Sequence, residues 1–383
     1  MARFDVALHL IGEQNIPNYI AIKHLDAEKH ILLATDKTKR VAQRLKASLI
    51  EYGARIVIEP IGNAFQLGEL INQFTVLRQQ FDEKQVALNV TGGTKLMAIA
   101  LLHAFNEMKG CESFYVEAHD QNALISITKN KVLPLEPCFE DAKTFVSLQS
   151  PELLSRYKDR RPSEAELAVA CELRKFAVGK LNADAFFFAE MVKKYRWNKL
   201  GKENYAEITK KVDSLKKKYF KEEEKRTDIE TLENELGQEA FWRFLAGRWF
   251  EVYTYNLFQK FSDVSKQKVR GLRLSVPIFY ENKEVKRQER QELDLAYTDG
   301  FAFYVIECKA RREITQDDVQ KLENNVWRYG GTFGRGVLVS AYQQQDAILD
   351  RIETSPNVML VHGDDVECLE AALLNWHPGV WQQ

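Results

Sequence analysis

Short apolar segments alternate with amphipathic stretches through the first third of the chain. Between the first five of these segments, residues 36–52, 64–81 and 94–109 have helical periodicity. The segments with the character of strands are residues 4–11, 30–35, 55–61, 85–90, 113–118, 123–128 and 131–135. Near-continuous apolar strands separated by helices are typical of a parallel sheet with both faces covered. The pattern predicts a doubly wound, Rossmann-like α/β domain that closes with an antiparallel pair.

Polar residues gather where three of these predicted strands end. The first strand runs into Gly12, Gln14 and Asn15, the second into Thr35, and the fourth into NVTGGTK at residues 89–95. Doubly wound sheets bind ligands at this edge, and paired glycines let a phosphate approach the amides of a helix start. The segment predicts a phosphate or nucleotide site, although it matches neither GxxxxGK[ST] nor GxGxxG. A Gly-Gly turn followed by a threonine cap is the alternative.

Composition excludes several other classes of protein. The 383-residue chain is 45% hydrophobic and holds 54 basic against 55 acidic residues, so it is neither disordered nor generally polycationic. Five scattered cysteines without a CxxC pair indicate a reducing compartment. The sequence contains no signal-peptide pattern and no apolar run of about 18 residues. We therefore expect a cytoplasmic protein without a membrane span.

The middle of the chain predicts a charged helical connector, which divides it into residues 1–138, 139–236 and 237–383. Strand-like segments are missing from the connector, and residues 163–178 begin with the Ser-x-x-Glu pattern of a capping box. Residues 193–226 hold 13 Lys or Arg against 6 Asp or Glu, with aromatic residues interspersed. This composition suits contact with a nucleic-acid backbone, while a solvated helical hairpin better explains most of the individual lysines.

The last segment predicts a second α/β unit. Its helices are expected at residues 238–261 and 315–329, and its strands at 270–279, 291–298, 301–309, 336–340 and 357–361. A charged turn at 280–290 and a tight turn at Asp299-Gly300 would join the first three strands.

Three charged residues interrupt the apolar strands of this hairpin. Asp294 lies between two leucines, while Glu307 and Lys309 end the next strand with their side chains on one face. A turn at Asp299-Gly300 would bring Asp294 close to Glu307. Two partly buried carboxylates repel each other, and Mg²⁺ or Mn²⁺ relieves that repulsion. Lys309 would then orient or deprotonate a water molecule, or offset charge on a phosphate.

The spacing of Asp294, Glu307 and Lys309 on a hairpin resembles the PD-(D/E)XK nuclease superfamily, which has the restriction-endonuclease-like fold. The resemblance implies a metal-dependent hydrolase of phosphodiester bonds in which the two carboxylates hold Mg²⁺ or Mn²⁺. The carbonyl of Cys308 would be a further ligand, and Glu251 on the preceding helix would contribute directly or through water.

Other positions near this motif give weaker support for the resemblance to these nucleases. Leu293 stands where the family often has proline, at a position that varies. Gln320 and Lys321, on the predicted helix at 315–329, would either reach the phosphate or belong to a solvated helix face.

Nearly the whole chain resembles the CRISPR-associated Rossmann fold (CARF) effectors, in the branch with a restriction-endonuclease-like C-terminal domain. The Thr-Gly-Gly-Thr-Lys loop at 91–95 and the hairpin set carry this resemblance. It implies antiviral defence in which two copies pair through their N-terminal domains and cyclic tetraadenylate, lying across the two-fold axis, activates cleavage of DNA or RNA. The ligand-binding residues would be Gly12, Gln14, Asn15, Thr35, Asn89, Thr91, Gly92, Gly93, Thr94 and Lys95.

Two other functions stay open from the sequence. A repair or restriction nuclease without a cyclic-nucleotide switch would use the same hairpin, and its Gly-Gly loop would bind another nucleotide or only turn the chain. A ligand-responsive, nucleic-acid-binding regulator with a decayed catalytic domain would bind through the basic connector. The complete set of Asp294, Glu307 and Lys309 counts against the regulator.

Overall fold

The computed structural model of the chain describes residues 3–117, 123–149, 152–153, 161–176, 187–188, 191, 202–264, 269–280 and 288–376. Within these ranges, no helix combines the length and the apolarity needed to cross a membrane. The described residues form two sheets, and buried apolar clusters lie on both faces of each sheet.

The first sheet has seven strands in the order β3-β2-β1-β4-β5-β6-β7. Strands β3 to β5 of that order run parallel, and β6 and β7 are antiparallel. The strands are β1 Phe4–Leu10, β2 Ala27–Ala34, β3 Ile56–Pro60, β4 Val86–Asn89, β5 Cys111–Glu117, β6 Ala123–Ser126 and β7 Lys131–Pro134. The predicted doubly wound sheet with a closing antiparallel pair is confirmed.

The helices of this sheet are α1 Ile16–His24, α2 Lys39–Ser48, α3 Leu67–Arg78 and α4 Lys95–Phe105. Helix α1 is missing from the sequence-based prediction. All its residues from Ile16 to Ile22 are buried, so it has no polar face to produce an amphipathic pattern. Helix α2 ends earlier than predicted, because a short 3-10 turn at Ile50–Arg55 follows it.

The second sheet has six strands in the order β13-β12-β11-β10-β9-β8. Strands β8 to β11 are antiparallel, and β11 to β13 are parallel. They are β8 Glu152–Leu153, β9 Arg270–Tyr280, β10 Gln288–Thr298, β11 Phe303–Lys309, β12 Gly334–Ser340 and β13 Val358–His362. The expectation of a connector without strands is wrong at β8, a two-residue edge strand. Strands β9 and β10 extend into the predicted turn at 280–290, of which residues 281–287 lie outside the described ranges.

The connector contains the predicted helices, and they pack against the second sheet's helices. These are α5 Ala142–Gln149, α6 Glu164–Phe176, α7 Lys202–Tyr219 and α8 Glu223–Leu236. Val169, Leu215 and Leu232, from α6 to α8, are buried in the cluster that also holds Trp249. The apolar faces of α6, α7 and α8 therefore belong to the core of the second unit, whereas α5 packs into the cluster shared by both sheets. The exact domain boundaries stay a prediction.

The single helix predicted at 238–261 is interrupted. It consists of α9 Gln238–Arg243 and α10 Trp249–Val264, joined by a wider π-type turn at Phe244–Arg248 that contains Gly247. Such wide turns redirect the following side chains and occur often at functional sites. The chain continues with α11 Gln316–Gly330, α12 Asp346–Glu353 and α13 Leu369–Trp376.

Aromatic rings join the two sheets. Phe139 stacks on Tyr19 of α1 with ring centroids 4.8 Å apart, and on Phe145 of α5 at 3.9 Å. Phe145 in turn stacks on Phe303 of β11 at 5.5 Å. All four rings belong to one buried cluster that includes residues of both sheets. Stacked aromatic rings contribute more stabilisation than the apolar area that they bury would give alone. This column of four rings therefore holds the two sheets against each other.

We expect Phe145→Ala to lower the stability of the whole chain by about 3–5 kcal/mol, because it removes a fully buried ring and leaves a cavity between the sheets. The urea midpoint measured by circular dichroism checks this. The control is Phe65→Ala, since Phe65 is 67% exposed. Equal midpoints for both variants and the wild type would contradict the role of the column.

Candidate functional site

A cavity of about 730 Å³ opens at the carboxyl edge of the first sheet. It lies where the connections from β1 and β4 diverge, which is the position at which doubly wound sheets bind ligands. Seven of the predicted ligand-binding residues line it: Gly12, Gln14, Thr35, Thr91, Gly92, Gly93 and Thr94.

Close packing explains the paired glycines of this cavity. A Cβ atom on Gly92 would lie 2.1 Å from the carbonyl oxygen of Leu10, so no side chain fits there. Gly93 has a φ of +75°, in the left-handed region that favours glycine. Thr94 then caps α4, and its Oγ1 accepts a hydrogen bond from the amide of Met97 at 3.2 Å. Close packing against β1 and the backbone conformation therefore both require glycine in this part of the cavity wall.

Three predicted ligand-binding residues lie elsewhere. Asn89 is fully buried beneath the loop, where its Oδ1 accepts the amide of Thr91 at 3.2 Å. Asn15 is also buried, and its Nδ2 donates to the carbonyl of Leu148 at 3.0 Å. These two amides hold the walls of the cavity together. Lys95 is exposed on the first turn of α4, outside the cavity lining of the described chain.

Sequence reasoning missed several residues that line the cavity. Lys37 and Thr38 follow the second strand, so their position at a strand end was a usable signal. Tyr115 lies on β5 and carries no such signal. Trp327 and Thr332 come from the second half of the chain, and only the tertiary structure brings them here.

The second site lies where the β10–β11 ladder stops. The paired residues run from Thr298 and Phe303 to Leu295 and Ile306, so Asp294 lies just beyond the last pair. Its Oδ2 accepts a hydrogen bond of 2.7 Å from the amide of Cys308. The predicted approach of Asp294 to Glu307 follows from this register.

An irregularity in β9 and β10 creates the position of Asp294. Leu293 and Leu295 would share a face in a regular strand. Instead, Leu293 packs into the cluster shared by the two sheets, and Leu295 packs into the opposite cluster. Ser275, on the neighbouring stretch of β9, has a φ of +53°. The strands change face at this point, and the carboxylate of Asp294 turns toward the end of the ladder.

Burial and mutual repulsion perturb the carboxylates. Burial, and then the charge of Glu307, raise the pKa of Asp294 to about 7. Burial, and then the charge of Asp294, raise the pKa of Glu251 on α10 well above its usual range. The structure thus brings together the three carboxylates that the sequence predicted, and they influence one another electrostatically.

Two lysines neutralise part of this charge. The Oε1 of Glu307 accepts hydrogen bonds from Lys309 Nζ at 2.6 Å and from Lys321 Nζ at 2.9 Å. Burial alone would lower the pKa of Lys309, but Glu307, Asp294 and Asp318 outweigh it and raise that pKa. Lys309 is therefore a cation in this arrangement, while Lys321 bonds to Glu307 from a helix face on which its own side chain is half exposed.

A cavity of about 460 Å³ adjoins the carboxylates and is rich in arginine. The π-type turn before α10 places Arg248 and Glu251 in its wall. Arg248 donates to Ser275 Oγ at 3.0 Å, while its buried Nε has no hydrogen-bond partner in the described chain. Arg243 and Arg311 also line the cavity, and all three arginines escaped the sequence analysis. Arginines beside carboxylates suit an anionic substrate.

The second site offers oxygen atoms to a cation. The Oε2 of Glu307, a residue only 1% exposed, is buried without a hydrogen-bond partner among the described residues. Burial raises the pKa of the Cys308 thiol, so this side chain stays neutral and its carbonyl is the better ligand. Across the described ranges, no group of three or more His, Cys, Asp or Glu side chains is preassembled around a metal position. Two carboxylates suffice for Mg²⁺, which keeps several of its waters.

Two family models match the chain. Residues 6–138 match the Card1 CARF domain, and residues 238–380 match the Card1-like endonuclease domain. The matches span well over half of the chain and include both cavities. They confirm the resemblance that the loop and the hairpin indicated.

Solved structures share the fold over nearly the whole chain. Protein VC1899 from Vibrio cholerae has a TM-score of 0.74 at 15% identity, covering 98% of each chain. Can2 from Sulfobacillus thermosulfidooxidans, in complex with cyclic tetra-adenylate, has a TM-score of 0.67 at 19% identity, covering 97% of each chain. A type III CRISPR defence DNA nuclease activated by cyclic oligoadenylate has 0.56 at 19% identity, over 97% of this chain and 52% of that one. These likenesses concern the fold. No curated protein sequence matches the chain.

The raised pKa of Asp294 makes the stability of the metal-free protein depend on pH. Because the folded protein binds this proton more tightly than the unfolded chain does, the stabilisation is complete in acid and is lost as the pH rises through about 7. In EDTA at about pH 9, we expect Asp294→Asn to melt a few degrees above the wild type, since it carries no charge.

At about pH 5 the difference between variant and wild type should shrink, because the wild-type carboxyl is then protonated. Thermal melts at both pH values measure this. Asp365→Asn, at an exposed position, is the matched control. A lower melting temperature for Asp294→Asn at the higher pH would contradict the repulsion.

Proposed function

This chain belongs to the CARF effectors that carry a Card1-like endonuclease domain, and on that premise we propose that it is a nuclease switched on by a cyclic oligoadenylate in type III CRISPR defence. The observation that carries the proposal is the part-buried cluster of Asp294, Glu307 and Lys309 in the same chain as a cavity with a Gly-Gly wall. The substrate is DNA, RNA or both, cleaved in the cytoplasm.

The carboxylates supply the cation site of the proposed nuclease. Asp294 and Glu307 would hold Mg²⁺ or Mn²⁺, with the carbonyl of Cys308 as a further ligand and Glu251 contributing directly or through water. The unpartnered Oε2 of Glu307 and the raised pKa of Asp294 support this choice. When bound, the cation polarises the phosphate and lowers the pKa of a water.

The remaining chemistry belongs to the basic residues. Lys309 is protonated, so its role is to orient the attacking water and to offset charge on the phosphate rather than to remove a proton as a free amine. Arg248 and Arg311 line the same cavity and would bind phosphates of the substrate, although Arg311 also pairs with Asp318. The basic connector is a further candidate surface for nucleic acid.

The first cavity is the proposed activator site, and cyclic tetraadenylate is the proposed ring. The Can2 structure contains that ring, which supports the assignment. The amides of the Gly-Gly loop and the charge of Lys37 suit its phosphates. A four-fold ring fits a two-fold interface, so two copies would pair through their first domains. Leu67, Val76 and Ile99, exposed on the adjacent helices α3 and α4, suit such a contact.

A cleavage assay tests the nuclease. Supercoiled DNA, single-stranded DNA and single-stranded RNA would be incubated with Mn²⁺, with and without cyclic tetraadenylate. We expect cleavage only with the ring, and Asp294→Asn should lose more than about a hundredfold in rate because it removes a cation ligand. EDTA should abolish the activity, while Asp365→Asn should keep it.

Other results of this assay would favour the alternatives. Cleavage without the ring would indicate a nuclease that lacks the switch. Salt-sensitive binding of nucleic acid without any cleavage would indicate a regulator.

Substitution of Lys37 tests whether the first cavity binds the activator. Lys37 is the only Lys or Arg side chain among the described residues that line the cavity, so Lys37→Ala removes the one local positive charge. We expect the ring concentration for half-maximal activation to rise about tenfold, because charge-assisted hydrogen bonds are lost. The measurement is a titration of the cleavage rate.

Lys39→Ala is the matched control, since Lys39 is exposed two residues further on and lies outside that lining. Equal responses of the two variants would argue against the cavity. Lys95→Ala in the same series measures whether the start of α4 contributes.

A further inference from the structure

Helix α11 contacts Glu307 and Lys309 near its start and lines the activator cavity near its end. Near its start, Lys321 Nζ lies 2.9 Å from Glu307 Oε1, and Asp318 Oδ1 lies 3.5 Å from Lys309 Nζ. Two turns further along, Trp327 lines the activator cavity, followed by Thr332 after the helix end. Since a helix rises about 1.5 Å per residue, Lys321 and Trp327 are separated by only about 9 Å along the axis. A displacement at one cavity therefore has a short, rigid route to the other.

Trp327 has the exposure of a binding residue rather than a core residue. It is 61% exposed, whereas Trp242 and Trp249 are at most 2% exposed. Trp327 lines the same cavity as the Gly-Gly loop. Purine bases stack on such aromatic faces, and each stacked base adds substantial affinity.

The end of α11 is held tightly against the activator cavity. Gln14 Oε1 accepts hydrogen bonds from the amide of Thr332 at 3.3 Å and from its hydroxyl at 3.1 Å. Gly331 has a φ of +56°, and a Cβ atom there would lie 2.1 Å from Gln149 Nε2 and 2.9 Å from Gln14 Oε1. The turn after α11 thus packs directly against Gln14 and Gln149, and its hydrogen bonds to Gln14 link the end of the helix to the activator cavity.

We propose that Trp327 stacks on an adenine base of the activator and that α11 couples this contact to Glu307 and Lys309. The inference rests on the proposed function and assigns part of the activator site to the endonuclease half of the chain. Cyclic tetraadenylate would bind more tightly when α11 is in the position that lets Trp327 stack on a base. Its binding would then shift the protein toward that position of the helix. That position sets how closely Lys321 and Asp318 hold the two residues of the active site.

Tryptophan fluorescence and calorimetry test the stacking without relying on cleavage. Cyclic tetraadenylate should quench part of the emission of the six tryptophans of the wild type. Trp327→Phe should abolish that quenching because the indole is gone. It should keep the affinity, because the phenyl side chain still offers an aromatic face to the base. Trp327→Ala should lose about tenfold in affinity by calorimetry. Ile50→Ala, at a position 83% exposed and outside the cavity lining, should match the wild type in both measurements.

Cleavage at saturating ring concentration tests the coupling. The maximal cleavage rate of Trp327→Ala should then stay below that of the wild type. If Trp327 only bound the ring, a saturating concentration would restore the full rate. Wild-type affinity and full activation in Trp327→Ala would overturn this inference and leave the proposed function standing. Failure of the wild-type protein to bind the ring would instead refute the proposed activator, and the role of Trp327 with it.

Discussion

Asp294 and Glu307 lie at the end of the β10–β11 ladder, where the charge of Glu307 raises the pKa of Asp294, and the arrangement of the active site depends on compensating these like charges. Charges repel strongly where water is excluded, so each carboxylate requires a compensating partner. The amide of Cys308 satisfies Asp294, while Lys309 and Lys321 satisfy one oxygen of Glu307. The remaining oxygen of Glu307 lacks a partner within the described chain, which is the opening that a divalent cation would fill.

The same repulsion links the active site to the rest of the molecule. One compensating cation, Lys321, belongs to α11, whose far end lies in the wall of the activator cavity. The stacked rings from Tyr19 to Phe303 hold the two sheets in a common core beside this helix. The activator cavity and the carboxylate site therefore both contact helix α11. Ligand binding in the cavity could be transmitted to Glu307 through this helix.

The sequence predicted most of the regular elements and the chemistry of both sites. The alternation of apolar and amphipathic segments predicted the doubly wound sheet, and the motif on the hairpin predicted Asp294, Glu307 and Lys309 together with Glu251. The misses have local causes. Helix α1 is buried all round and shows no amphipathic period. Gly247 interrupts a pattern that otherwise reads as one helix. Asn15 and Asn89 are polar residues at strand ends, but they bond to the backbone or side chains of their own fold.

The sequence by itself determined which residue types follow each strand, where glycine is needed for close approach, and which carboxylates and lysine share a hairpin, because these features depend on local spacing. The tertiary structure alone decided that β10 changes face at Asp294, that Lys321 reaches Glu307 and that Trp327 and Thr332 line a cavity built by the first domain. Trp327 lies more than two hundred residues after the Gly-Gly loop. Such contacts depend on how separate elements pack, and no local periodicity in a sequence encodes them.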